Sequence, residues 1–95
     1  MSKAKFTKGE WHVQNVGDNK LSIDSDSGMS LAIISNDHKS DVATAHLIAA
    51  APEMYEVINN IVKYSKRNDG SINEYLNNSI LSFEKLLAKA RGEHE

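Results

Sequence analysis

The sequence predicts an α+β fold: a three-stranded antiparallel β-meander followed by two to three helices, in the order βββααα, with a C-terminal helical hairpin. Three observations carry this expectation. Apolar and polar residues alternate through 10–35, broken by two turn-forming stretches, Gly17-Asp18-Asn19 and Ser25-Asp26-Ser27-Gly28. From Asp41 the apolar spacing lengthens to three and four residues. The single proline, Pro52, sits inside the most helix-prone stretch, AHLIAAAPEMYE at 45–56.

Residues 1–9 carry Lys3, Lys5 and Lys8 and read as a flexible arm. In the first strand Trp11, Val13 and Asn15 share one side, with His12 and Gln14 on the other. Gly, Asp and Asn tolerate turn geometry, so 17–19 is a turn. Leu21 and Ile23 alternate with Ser22 and Asp24 in the second strand, and MSLAIIS at 29–35 is the third and most apolar one. Short loops make consecutive strands antiparallel neighbours. The polar stretch 36–40 offers helix N-caps, of which Asp37 and Ser40 are the best suited. In the helix that follows, Val42, Ala45, Leu47, Ile48 and Ala49 spread around most of the circumference, which predicts burial on more than one side.

Proline inside a helix costs about 3 kcal/mol and disfavours helical geometry at the residue before it, here Ala51. In the first turn of a helix it is favoured instead. Glu53 and Glu56 follow it, and acidic groups are favourable near a helix N-terminus. Pro52 therefore reads as the start of a second helix reaching about Lys66. A kinked continuous helix is the other open geometry. The second helix carries a stripe of Met54, Val57, Ile58, Ile61 and Val62. Asn68-Asp69-Gly70 is turn chemistry, and Ser71 with Glu74 spells a capping box. The last helix, about 72–91, places Ile72, Tyr75, Leu76, Ile80, Phe83, Leu86, Leu87 and Ala90 on one face. Lys85, Lys89 and Arg91 suit its C-terminal dipole, Gly92 is its C-cap, and 92–95 frays. The two later helices form an antiparallel hairpin. Their combined apolar surface exceeds what one three-stranded sheet can cover, which predicts a homodimer through the helices.

At 95 residues the chain is a single domain with a modest core. Hydrophobic residues make up 40% and charged residues 25%, the balance of a globular protein rather than a disordered one. A formal net charge of -2 gives no overall attraction to nucleic acid or membrane, so a nucleic-acid role would need a local patch. With 0 cysteines, disulfides, thiol nucleophiles and thiolate metal sites are excluded. The opening MSKAKFTKGEW lacks the apolar core of a secretory signal, and no apolar run approaches the roughly 20 residues of a membrane span. The expectation is a cytoplasmic protein that takes no membrane as partner.

The residues carry little chemistry. Asp24-Ser25-Asp26-Ser27-Gly28 is like the opening of a calcium loop, but the twelfth position, which needs a bidentate Glu, is Ser35. Of His12, His38, His46 and His94, none is paired at helical spacing, and only a meeting of His12, His38 and Asp37 in space would make a site. His46, among apolar neighbours, reads as a helix histidine at the sheet edge. Phosphate-loop, dinucleotide and nucleophile-elbow patterns are missing. The expectation is a protein that is not an enzyme and takes no metal and no cofactor. Lys63-Tyr64-Ser65-Lys66-Arg67 is a compact basic cluster able to meet phosphates and stack a base.

The stretch TAHLIAAAPEMYEVI resembles a widespread group of small phage and prophage proteins whose signature is approximately N-A-x-L-I-A-A-A-P-E-L-L-E-A-L. Ala45, Leu47, Ile48, Ala49, Ala50, Ala51, Pro52 and Glu53 match it; Thr44 replaces the Asn, and Met54-Tyr55 replaces the Leu-Leu. The tryptophan-bearing strand after KGEW is similar in style. The resemblance implies phage origin and expression in a bacterial host, with no single activity. By analogy of context it implies an accessory protein that binds and inhibits a host antiviral defence complex, as an anti-CRISPR does. Glu53, Tyr55, Glu56, Glu74 and Tyr75 form the expected acidic and aromatic partner-binding surface. One alternative is an oligomeric sponge for a cyclic or ADP-ribose-type nucleotide signal, held by Trp11, Lys63, Lys66 and Arg67. The other is a small DNA- or RNA-binding protein using the same basic cluster.

Overall fold

A computed structural model describes residues 5–93 and has the predicted βββααα order. The strands are β1 (Trp11–Gly17), β2 (Lys20–Ser25) and β3 (Ser30–Ser35), antiparallel in the order β1-β2-β3. The helices are α1 (Lys39–Ala49), α2 (Ala51–Arg67) and α3 (Ser71–Ala90). The first four residues of the expected arm, and His94 and Glu95 of the expected frayed tail, lie outside the described residues.

The β1–β2 hairpin closes on Asp18 and Asn19, both at positive φ (53° and 56°), the backbone of a two-residue type I′ turn. Val16 is the extra residue of a bulge just before it. The register places Val13, Ile23 and Ala32 side by side on one face, and Gln14, Ser22 and Ile33 on the other. Central β2 is buried on both faces at Leu21, Ser22 and Ile23. Buried Ser22 is satisfied by Asp24 and Ser30, and buried Ser25 by Ser27 and the Met29 N–H. The third strand begins at Ser30 rather than Met29; the Met29 carbonyl accepts from Ser25 in the turn, and its side chain is exposed.

Pro52 marks a break, not a kink. The chain turns at Ala50, whose N–H bonds to the His46 and Leu47 carbonyls, ending α1. The Ala50 carbonyl accepts from Met54 and opens α2. Ala51 is kept inside α2, one residue earlier than expected, because Pro52 then falls in the first turn, where its missing N–H is no loss. Ala45, Ala49 and Ala50 are buried, so small side chains set the close approach at this corner.

Helix α1 packs on all three strands and on α3, whereas α2 packs mainly on α3. The α2–α3 hairpin therefore projects beyond the sheet, giving extents of 53 × 28 × 18 Å. The expected many-sided burial of α1 is corrected: it buries Ala45 and Ala49, while Val42, Leu47 and Ile48 remain substantially exposed. Only one side of the helix meets neighbours, and that side is the small one.

Two caps also differ from expectation. Helix α1 is capped at His38, one residue past Asp37 and two before Ser40; the Asp41 carboxylate accepts the Asp37 and His38 N–H groups at 2.9 and 3.0 Å. At α3, Gly70 (φ 85°) takes the cap position, so Ser71 is already helical and cannot form the capping box with Glu74. Asp69 accepts from both the N–H and the hydroxyl of Ser71 instead. Gly92 ends α3 as predicted, but Gly92 and Glu93, expected to fray, are held by hydrogen bonds. Gly92, at φ 80°, donates to Lys89 and Glu93 donates to Ala88, the paired bonds of a Schellman motif.

Candidate functional site

The predicted partner surface divides in two. Glu53, Tyr55 and Glu56 lie at the start of α2, beside the sheet. Glu74 and Tyr75 lie at the far tip of the hairpin, where Tyr75 stacks on Tyr64 with centroids 5.0 Å apart. Tyr55 and Tyr64 are nine residues apart on α2, about 14 Å at 1.5 Å per residue. The two groups are separate sites.

At the sheet end, Phe6 meets Trp11 edge to face at 6.2 Å and Tyr55 at 5.0 Å. The Trp11 indole N–H donates to the Thr7 carbonyl at 3.1 Å, which orients the ring. Ala51 and Pro52 complete an open, almost wholly apolar cleft of about 250 Å³ with these three rings. Pro52 thus does two jobs: it turns the chain and it floors the cleft. Acidic residues adjoin its lining in sequence: Glu10 precedes Trp11, Glu53 follows Pro52 and Glu56 follows Tyr55. Lys89 reaches Glu53 at 2.6 Å and Glu10 at 3.7 Å, tying α3 to α2 and to the approach to β1, while Glu56 is exposed. Sequence reasoning misses Phe6 as a contact residue. Isolated in a lysine-rich stretch, it has no periodicity to reveal it.

Close by, His12 Nε2 lies 2.8 Å from Asp26 Oδ1, and the Glu10 N–H donates to Asp26 Oδ2 at 3.1 Å. The His12 hydrogen bond first, and the Glu10 N–H second, hold the Asp26 carboxyl below the ordinary aspartate range. Glu10, His12 and Asp26 present possible metal-ligating atoms within 4.8 Å of one another, all on exposed residues. The Lys89 ammonium already supplies positive charge beside Glu10, and the visible work of the cluster is to tie the β2–β3 turn to β1. His38 and Asp37 sit instead at the start of α1. The His46 ring is directed at the α3 terminus, where Gly92 gives it room.

At the hairpin tip, Lys63 and Arg67 lie 5.8 and 5.4 Å from the centre of the Tyr64 ring. Tyr64, Arg67, Ser71, Glu74, Tyr75 and Asn78 line a mixed polar cleft of about 350 Å³. Asn60 donates to the Tyr75 hydroxyl at 3.4 Å, and Phe83 packs against the Tyr75 ring from the next turns. Lys66 is exposed nearby on α2. Trp11, expected to work with this basic cluster, is held at the sheet end by Phe6 and Thr7.

A family model, described as Salmonella phage P22 protein Y8K6, matches residues 1–94. The chain belongs to that family. The phage kinship implied by the TAHLIAAAPEM stretch is borne out at the level of a small phage protein family. No curated protein and no solved structure matches this family member. Among its described residues, no helix is long and apolar enough to cross a membrane.

Proposed function

We propose that this phage protein is a non-catalytic accessory protein that inhibits a host antiviral defence complex by protein–protein contact, in the host cytoplasm. The observation that supports this best is the apolar, aromatic Phe6–Trp11–Pro52–Tyr55 cleft. Aromatic pockets of this kind are where binding energy concentrates in protein interfaces. Exposed Glu56, next to Tyr55 in sequence, suits a basic partner surface, such as one that otherwise holds nucleic acid. The test is plating of a phage lacking the gene on hosts that each carry one defence system, and on defence-free hosts. Plating should fall on one defended host. The wild-type protein supplied in trans should restore it, and Tyr55→Ala, with its affinity lowered tenfold or more, should not. Equal plating on every host would sink the proposal.

The Tyr64–Tyr75 stack beside Lys63 and Arg67 favours a second reading, a site for a nucleotide or an unstacked base at the hairpin tip. It keeps the Lys63, Lys66 and Arg67 of the sponge and nucleic-acid alternatives and replaces Trp11 by the two tyrosines. Titration calorimetry against cyclic, linear and ADP-ribose-type nucleotides decides it. Binding should disappear in Tyr64→Ala and weaken as salt rises. No heat with any member of the panel removes this reading.

A further inference from the structure

Four residues of the predicted hairpin stripe, Ile58, Val62, Ile80 and Leu87, are left exposed. Met54, Ile58 and Val62 form one row on α2, at successive i, i+4 positions; Ile80, Phe83 and Leu87 form the facing row on α3. Met54, Ile58, Phe83 and Leu87 line one apolar groove of about 240 Å³ between the helices, and no polar atom contributes to its exposed wall. Val62 and Ile80 continue the rows by about one turn toward the tip. Ile58 is 62% exposed, Leu87 54%, Ile80 52% and Val62 46%.

We propose that a second copy of this chain covers this strip, hairpin against hairpin, to complete a four-helix bundle. Three features point to a second copy rather than a foreign protein. The groove at the heart of the strip offers no charge or hydrogen-bonding group with which a different partner would be selected, whereas an apolar surface is complementary to itself, as a two-fold interface requires. Two parallel rows of large side chains along an antiparallel helix pair are the half-core of a four-helix bundle. The area also matches. The chain exposes 6929 Å², against about 5,400 Å² expected for a compact protein of its 10.5 kDa. The surplus, about 1,500 Å², exceeds the roughly 800 Å² that each partner gives up in a standard interface. The pairing leaves the Tyr55 cleft out of the interface and does not depend on what that cleft binds.

The test is the solution mass by light scattering or sedimentation at several protein concentrations. The wild-type chain should run at twice 10.5 kDa. Leu87→Glu should raise the dimer dissociation constant by about a hundredfold or more, because each substitution acts twice across a two-fold axis. Leu81→Glu, placed away from the strip on the same helix and already 73% exposed, should leave the dimer intact. Circular dichroism reports whether each variant is folded, and should Leu87→Glu unfold, the milder Leu87→Ser provides the same comparison. A wild-type chain that keeps single-chain mass at high micromolar concentration overturns the proposal. So does a folded Leu87 variant that dimerises as tightly as the wild type.

Discussion

Ile23→Ala should destabilise the protein by about 3–5 kcal/mol, the upper part of the range for truncating a buried aliphatic side chain. Ile23 is 0% exposed and is the only large side chain among the described residues that is fully buried. It stands on the central strand, between Val13 and Ala32, on the face that α1 covers. The buried side chains of α1 are Ala45 and Ala49, which are too short to move into the space a missing isoleucine would leave. The cavity therefore persists, and cavity volume is what separates costly truncations from mild ones. A domain of this length loses about 4–8 °C of Tm per kcal/mol, so the midpoint should fall by more than about 12 °C. Ile33→Ala, on the open face of the same sheet, should cost about 0.5 kcal/mol or less. Thermal and urea unfolding at one fixed protein concentration compare the two. Equal losses at Ile23 and Ile33 would show that the core has been misplaced.

Gly92→Ala should cost about 2–4 kcal/mol, much more than an ordinary surface glycine. Two separate effects add. At φ 80° an L side chain is strained, by about 1 kcal/mol or slightly more. The new Cβ would also stand 2.9 Å from His46 Cδ2 and 3.3 Å from Cγ, an overlap worth a further 1–3 kcal/mol or so. Gly70→Ala separates the two effects. Gly70 has nearly the same φ, 85°, but a Cβ added there would meet nothing within 4 Å, so it should lose only the backbone part. In a double-mutant cycle, Gly92→Ala should cost less in a His46→Ala background than in the wild type, by the steric part alone. If Gly92→Ala and Gly70→Ala cost the same, His46 does not brace the end of α3.

Much of the fold is legible because it rests on local rules. Two turn stretches at the right interval fix a meander, since their left-handed residues, Asp18 and Asn19 above all, cannot sit in a strand. Pro52 followed by Glu53 marks a helix start for reasons confined to one turn. Gly92 ends α3 because the Schellman bonds need a residue at positive φ. The Ser71–Glu74 capping box misleads for an equally local reason. Asp69 reaches the same N–H, and the helix starts one residue early, with Gly70 rather than Ser71 at the cap position.

The site is legible only in pieces. Tyr55 and Pro52 are neighbours in sequence, but Phe6 and Trp11 join them through a contact that crosses from the N-terminal residues to α2. Acidic and aromatic residues at 53–56 and at 74–75 look alike in composition. The hairpin separates them because antiparallel helices bring Tyr75 to Tyr64, not to Tyr55. Nor does composition show that Lys89, 36 positions from Glu53, closes on it.

What the sequence by itself determined is the order and type of the elements, an interruption of the helical run at Pro52 that the structure resolves as a break, and the presence of more apolar helix surface than a small sheet can use. These follow from spacing, turn chemistry and caps, which act over a few residues. What only the tertiary structure decided is which part of that surface stays uncovered. Periodicity shows that a helix has an apolar side, but contact with neighbours decides how much of it is used. Here α1 presents alanines to the sheet and the hairpin projects past it, so Ile58, Val62, Ile80 and Leu87 remain outside the core of the single chain.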